Sequence, residues 1–490
     1  DDLGRLTRTV DPKVEAPTDR TDRVLLYDEA GNALLTEDRS GRQRMHSFDR
    51  LNRLVRTDYL TNLVPDGSAD VYTYDGFGDL VAVATSDVTA TYTYTARHEL
   101  ASRTDSRFGH TLSWTYDPAG NLKTKTDYQG EVTTFQYDAA NRLVGMRNPG
   151  YLQVSYHYDP AGRLIDRILS NGAKTTYSYD ADNRLTGLKN YTAGGTLVED
   201  LTYARDLLNN ITRIGDAVSG RTVIYQYDPA YRLIDVNSTD NSEDRHYTYD
   251  AVGNRKTMTE NGTTRYFCYT ATCTGAPQGN RLLEIRTGSP TGAVYRRFTH
   301  DDAGRILQKQ TGAGSPLYTI TYNGRGQAKT INGIAMSYDA SDYRIAKASR
   351  QYLLEGEHLE AVYDGTGVLQ EKYLRGAVID EIVNGYTFHS IDPNDWTNHT
   401  FHHDHLTSLT AMTGHDGTIE ETFRYDAFGK PLSPVPTTTG NRMLFTGREY
   451  DEDSGLYYYR ARYYDPEIGR FVSEDPKGFA AGVNFYAYVG

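Results

Sequence analysis

Between Ser113 and Leu185 the chain alternates aromatic, polar, aromatic and then breaks into a short polar run. Tyr156-His157-Tyr158-Asp159-Pro160-Ala161-Gly162-Arg163-Leu164 is followed by Tyr177-Ser178-Tyr179-Asp180-Ala181-Asp182-Asn183-Arg184-Leu185, and the pairs Tyr116-Asp117, Tyr137-Asp138, Tyr158-Asp159 and Tyr179-Asp180 recur at intervals of 21 residues. Alternation of period two places both aromatics of a unit on one face of a strand. The Asp accepts backbone N–H bonds in a turn, Gly or Asn three residues later tolerates positive φ, and Arg-Leu opens the next strand. A second turn signal precedes each Tyr-Asp: Asn148-Pro149-Gly150, Asn171-Gly172 and Gly194-Gly195. Two turns per period predict one β-hairpin per repeat.

Respaced copies at Tyr27, Tyr74, Tyr94, Tyr203, Tyr227, Tyr249, Tyr338, Tyr363 and Tyr425 carry the unit over nearly the whole chain, with interruptions at Ala271–Gly292 and Tyr373–Thr400. A fixed period of this size is the mark of a stacked array. Hairpins paired edge to edge make a long coiling sheet that must hide its edges by wrapping or capping. No Pro/Ser-rich linker divides the pattern, so Val24 to Asp426 is expected to form one continuous antiparallel sheet.

Composition sharpens this to an all-β chain: 41 Tyr and 45 Gly against 2 Trp and 6 Met in 490 residues, a balance that favours strands and tight turns. The formal net charge of −13 gives no electrostatic support to a phosphate-binding surface and argues against nucleic acid as a partner. No run of about 18 apolar residues and no signal peptide is found. The opening Asp1-Asp2-Leu3-Gly4-Arg5-Leu6 reads as the middle of a repeat, so the natural N-terminus is expected upstream and export stays open. The two cysteines, Cys268 and Cys273, are too few for a four-ligand zinc site; free thiols and a local disulfide both remain open. His402, His403, Asp404 and His405 suggest a metal at first sight. Adjacent strand positions point to opposite faces, so a packed, hydrogen-bonded hairpin is expected there, with no metal and no cofactor.

The end of the chain differs from the repeats. Gly447–Gly490 places Tyr457, Tyr458, Tyr459, Tyr463 and Tyr464 around Arg460 and Arg462, then adds Asp465-Pro466 and Asp475-Pro476. Aromatic rings flanking arginines suit burial through cation–π contacts and hydrogen bonds, so Tyr457–Tyr488 is expected inside the molecule. Two Asp-Pro steps alone do not establish any chemistry.

The ordered set of Tyr-Asp repeats, His403-Asp404-His405-Leu406, Tyr425-Asp426-Ala427-Phe428-Gly429 and Arg462-Tyr463-Tyr464-Asp465-Pro466-x-x-Gly469-Arg470-Phe471-x-Ser473-x-Asp475-Pro476 closely resembles the Rhs/YD-repeat family. That family includes bacterial polymorphic toxins, the C components of insecticidal toxin complexes and the teneurins. The resemblance implies a hollow β-cage, or cocoon, of repeat hairpins over 1–440, closed by an Rhs repeat-associated core plug over 441–490. It also implies a secreted or cell-surface bacterial protein that encloses a C-terminal toxin polypeptide, used with a secretion or delivery apparatus and a cognate immunity protein. In many members the plug is an aspartic-type protease that cuts once in cis, with no activity in trans. Asp475-Pro476-Lys477-Gly478 and Gly482-Val483-Asn484-Phe485-Tyr486-Ala487-Tyr488 match the family pattern, and the resemblance implies that Asp475 is one catalytic carboxylate and Arg462 the positively charged residue that orients an aspartate or polarises the scissile carbonyl. The second aspartate of the pattern and the scissile bond fall beyond Gly490. Asp465 is a conceivable substitute, although an ordinary Asp-Pro turn explains it as well. The alternative is a surface adhesion or glycan-binding repeat protein without cargo, marked by an open aromatic groove; a hydrolase acting in trans is the third reading.

Overall fold

The computed structural model describes residues 1, 3–10, 21–38, 41–148, 153–270, 272–273, 280–389, 395–435, 437–477 and 482–488. Among them 38 strands, from Arg8–Val10 to Ile419–Thr422, form one antiparallel sheet in which each strand pairs with the next in sequence. A four-stranded antiparallel sheet follows, built from Glu449–Asp451, Leu456–Tyr459, Arg462–Asp465 and Arg470–Phe471. No α-helix occurs among the described residues. The expected continuous sheet is therefore present, and both interruptions of the repeat contribute strands to it: Glu284–Thr287 in the first, Ile382–Phe388 and most of Trp396–His403 in the second.

Each Tyr-Asp turn closes as the residue types dictate. Asp138 N donates to Arg142 O and Asn141 N to Asp138 O, each at 3.0 Å, while Asp138 Oδ1 accepts Ala140 N and Arg142 N. Asn141 and Asn183 take φ of 58° and 63°, and Gly162 takes 85°, the left-handed conformation that Asn and Gly tolerate best. The Tyr hydroxyl finds its partner in the preceding unit: Tyr158 donates to Leu143 O at 2.8 Å, Tyr179 to Leu164 O at 2.9 Å, and Tyr227, Tyr249 and Tyr322 do the same to Ile211, Leu233 and Ile306. The turn Arg of that preceding unit lies over the ring, Arg142 at 4.7 Å from Tyr158 and Arg163 at 5.1 Å from Tyr179. One recurring spacing thus supplies a turn, a hydrogen bond and a cation–π contact between successive hairpins. The opposite turns hold Gly172 and Gly195 at φ 97° and 79°; Pro149 and Gly150 lie outside the described residues.

The sheet coils back onto itself. Strands from about Asn323 onward pack along strands met 213 to 281 residues earlier, through Arg42 Nη1 to Asn323 O at 2.8 Å, Lys125 to Glu355 and Glu360 at 2.8 and 2.9 Å, Arg167 to Glu381, and Asn190 Nδ2 to His403 O at 3.0 Å. This second turn is buried on both faces. Leu353, Ala361 and Tyr363 pack on Leu112 and Trp114 of the first turn, whereas Tyr352, Leu354 and Val362 pack on Phe445, Tyr450, Tyr457, Tyr464 and Phe471 of the C-terminal segment. A bulge between Leu353 and Leu354 sends Glu360 to the first-turn side, where Lys125 meets it.

Candidate functional site

Besides its apolar contacts, the C-terminal sheet meets the coiled sheet through buried charge pairs. Arg344 pairs with Glu449 and donates to Tyr463 Oη at 3.1 Å, Lys347 meets Asp451 at 2.6 Å, and Lys309 meets Asp465 at 2.8 Å. Burial works against the Lys309 ammonium, but Asp465 and Glu467 outweigh it and hold the proton above the ordinary lysine range. Burial likewise pushes the phenols of Tyr457, Tyr464 and Tyr486 well above theirs, so they serve as neutral donors. Tyr457, Tyr463, Tyr464, Phe471, Phe485 and Tyr486 are all buried, the burial expected of this stretch.

Two tight turns aim the site residues. Arg460 has φ 61° in a two-residue hairpin with Ala461, where Tyr459 pairs with Arg462; this geometry suits the twist of the strands. The tip is fixed by Arg460 to Asp380 at 2.6 Å, and Arg462 begins the next strand. Asp465 then turns the chain, accepting Glu467 N on Oδ1 at 3.0 Å and Tyr318 Oη on Oδ2 at 3.1 Å beside Lys309. Its carboxylate is thus committed to strands Ile306–Thr311 and Pro316–Tyr322.

Arg462 and Asp475 are brought together. Arg462 Nη2 lies 2.7 Å from Asp475 Oδ2, and the guanidinium stacks 3.6 Å from the centroid of Phe471. Asp475 Oδ1 accepts Lys477 N at 2.8 Å. The chain returning from this turn crosses the pair: Phe485 O accepts both Asp475 N at 2.8 Å and Arg462 Nη1 at 3.2 Å, and Tyr486 O accepts Phe471 N at 3.0 Å. Burial loosens the Arg462 proton and Asp475 opposes that, which leaves a charged guanidinium gripping one carboxylate and one carbonyl. Beyond Tyr486 the chain turns again, Ala487 N donating to Asn484 O at 3.2 Å, and the Tyr488 ring comes to 6.0 Å from Phe471 and 5.0 Å from Tyr464. Gly478 lies outside the described residues.

The sequence did not point to Asn254 and Asn280, which fasten the returning segment, or to Tyr269, which holds Arg470. Asn280 Nδ2 donates to Val483 O at 2.6 Å, and Arg470 Nη1 to Tyr269 Oη at 3.2 Å. A signal existed: Asn254 stands where the units at Tyr137, Tyr158, Tyr179 and Tyr227 carry Arg, and Asn at that position in Asn32 and Asn121 bonds the next unit's Asn. Cys268 and Cys273 form a disulfide, which resolves the alternative left open above. His402 and His403 are buried in a hairpin with Leu409–Gly414, and His402 Nε2 is 3.0 Å from Thr413 Oγ1. No group of three or more His, Cys, Asp or Glu suited to a metal is found among the described residues. Among them, too, no helix is long and apolar enough to cross a membrane.

Comparison with known proteins agrees with the geometry. Residues 116–152 and 158–196 match the RHS Repeat family. The chain is 28% identical over 335 residues to "Probable deoxyribonuclease RhsA" of Dickeya dadantii (strain 3937), covering 61% of this chain and 22% of that protein. It is 26% identical over 322 residues to "Double-stranded DNA deaminase toxin A" of Burkholderia cenocepacia (strain H111), covering 58% and 21%. The chain therefore spans about a fifth of the length of these curated relatives. Its fold is that of the crystal structure of TcdB2-TccC3-Cdc42, with a TM-score of 0.70 at 18% identity, over 95% of this chain and 27% of that one. With its Tyr-Asp turns, its RHS repeats at residues 116–152 and 158–196, its single coiling sheet and these relatives, the chain is similar to proteins of the Rhs/YD-repeat family.

Proposed function

We propose that residues 1–440 are the encapsulating shell of a toxin and 441–490 its plug, and that Arg462 and Asp475 serve one self-cleavage beyond Gly490 that frees an enclosed C-terminal polypeptide. The observation that carries this reading is the path of the chain. Tyr488 leaves against Phe471, the same ring that supports the Arg462 guanidinium paired with Asp475. The onward polypeptide thus starts beside the candidate chemistry and on the buried side of the sheet, where a bond presented in cis gains a high effective concentration. The names of the relatives, a deoxyribonuclease and a DNA deaminase toxin, support a toxic cargo. The repeat tyrosines do not favour the glycan-binding reading, because their hydroxyls are spent on carbonyls and arginines cover their rings.

The chemistry asks for a second carboxylate. Two close carboxyls share one proton, so one takes a proton from water as it adds to the scissile carbonyl while the other protonates the carbonyl oxygen; collapse passes a proton to the leaving nitrogen and breaks the C–N bond. Arg462 acts here by holding the Asp475 side chain in place. Export, a delivery apparatus and an immunity protein belong to the same reading, and the Cys268–Cys273 disulfide suits an oxidising compartment. Enclosure is tested by digesting the intact full-length protein with a broad protease. Survival of the downstream polypeptide until the shell is unfolded supports the proposal, and its digestion at the rate of the isolated polypeptide refutes it.

A further inference from the structure

The returning segment is fastened to the coiled sheet at more points than a passing strand requires. Asn484 Nδ2 donates to Asn254 Oδ1 at 3.3 Å, and Asn254 Nδ2 donates to Asn280 Oδ1 at 3.0 Å. The same bond joins successive repeats elsewhere, Asn32 to Asn52 at 3.1 Å and Asn121 to Asn141 at 3.0 Å, so Asn484 enters the ladder as if it belonged to one more unit. Tyr486 is 2% exposed, donates to Gly304 O at 2.7 Å and lies 4.5 Å from the Arg470 guanidinium, which itself donates to Asn280 O. A Cβ on residue 304 would stand 2.4 Å from Tyr486 Oη, so the Tyr486 pocket exists because glycine is there. Between these two attachments Phe485 O is held by Asp475 N and Arg462 Nη1.

We propose that Asn484, Phe485 and Tyr486 are a register anchor: they select the bond to be cut by fixing how many residues separate the last attachment to the shell from the Arg462–Asp475 pair. This deepens the self-cleavage reading and rests on it. The attachments lie on both sides of Phe485 O, the atom held by Asp475 and Arg462, and the last of them to the shell is Tyr486 to Gly304 O. Each further residue adds at most about 3.5 Å of reach, and a bond too near cannot fold back to Asp475 while a bond too far arrives only through a larger loop with a higher closure cost. Position along the chain is then read as a length, without pockets for the side chains flanking the bond. The three residues act as positioning residues; Asn254 and Asn280 support them from the shell and Arg470 from within the plug.

The test uses the complete protein with Gly-Ser inserted directly after Tyr488, and reads the mass of the released fragment. The anchor predicts that the cut moves two residues toward the N-terminus of the native sequence, so the fragment gains two native residues at its start. A cut that stays at the original bond, at a rate within twofold of wild type, overturns the proposal. If the insertion blocks cutting, Tyr486→Ala and Asn484→Ala decide: fragments beginning at several positions, formed at least tenfold more slowly in a shell of unchanged melting temperature, support it, and one unchanged fragment at the wild-type rate overturns it. Failure of the underlying reading looks different, since then the wild type stays whole or Asp475→Asn still cuts before any anchor variant is compared.

Discussion

Glu199→Gln should make the stability of the coil less dependent on pH. Glu199 sits in strand Leu197–Arg205 where the first turn meets the second; its Oε2 accepts Asn190 Nδ2 at 2.8 Å and the hydroxyl of Thr410 from strand Leu409–Gly414. Burial raises its pKa from an ordinary 4.5 to about 7, against the two hydrogen bonds and with help from the nearby charges of Asp404 and Asp216. The folded protein therefore keeps a proton on Glu199 that the unfolded chain releases at 4.5. Between pH 4.5 and about 7 the folded state binds more protons, so stability falls as pH rises through that window and the loss is complete above it. The interval corresponds to about 3 kcal/mol, and partial exposure of the side chain reduces the expectation to about 2 kcal/mol. Gln keeps an acceptor for Asn190 and Thr410 without titrating. Denaturant unfolding followed by tryptophan fluorescence, with Trp114 at the seam, should give Glu199→Gln a gain over wild type that is about 2 kcal/mol larger at pH 8 than at pH 4.5. A difference between the two proteins that stays constant across this range refutes the reasoning.

Three other perturbations follow from the same contacts. Arg344→Met removes one buried partner of Glu449 and leaves it only Arg442 at 3.5 Å and the Tyr352 hydroxyl at 3.1 Å; it should cost about 3 kcal/mol in chemical unfolding, part of it recovered in the double variant with Glu449→Met. Tyr158→Phe deletes the bond to Leu143 O and should cost about 1 kcal/mol, with faster amide exchange confined to the two hairpins it joins. Gly469→Ala forces a side chain onto φ 66° with its Cβ 2.6 Å from Arg255 Nη2 and 2.9 Å from the Phe428 ring; it should lower the melting temperature and destabilise the protein by roughly 2 kcal/mol or more.

The local part of the fold was legible because it is written in adjacent residues. Tyr158, Asp159, Gly162 and Arg163 announce strand, turn and return within six positions, and the structure forms each of them. The coiling contacts were not legible. Lys125 meets Glu360 and Arg167 meets Glu381 across more than 200 residues, and a repeat of fixed period does not record which turn lies on which. The stretch Tyr373–Thr400 read as an interruption because Ile382–Phe388 is buried on both faces, and a strand buried on both faces loses the alternation that marks it. At the site, Arg462 and Asp475 were named through family resemblance and the structure pairs them; burial of the segment was readable from arginines set among tyrosines. Asn280 was hidden because it lies in a non-repeated loop and acts on Val483, which is distant in sequence.

The most direct measurement on the central claim is a denaturing gel of the complete protein, wild type beside Asp475→Asn. Asn keeps the shape of the side chain and its contact with Arg462 while removing the acid–base function. The account predicts two fragments from the wild type and a single uncut chain from Asp475→Asn, with both shells unfolding at the same denaturant concentration. Two fragments from Asp475→Asn at the wild-type rate would contradict it and leave the plug a purely structural closure.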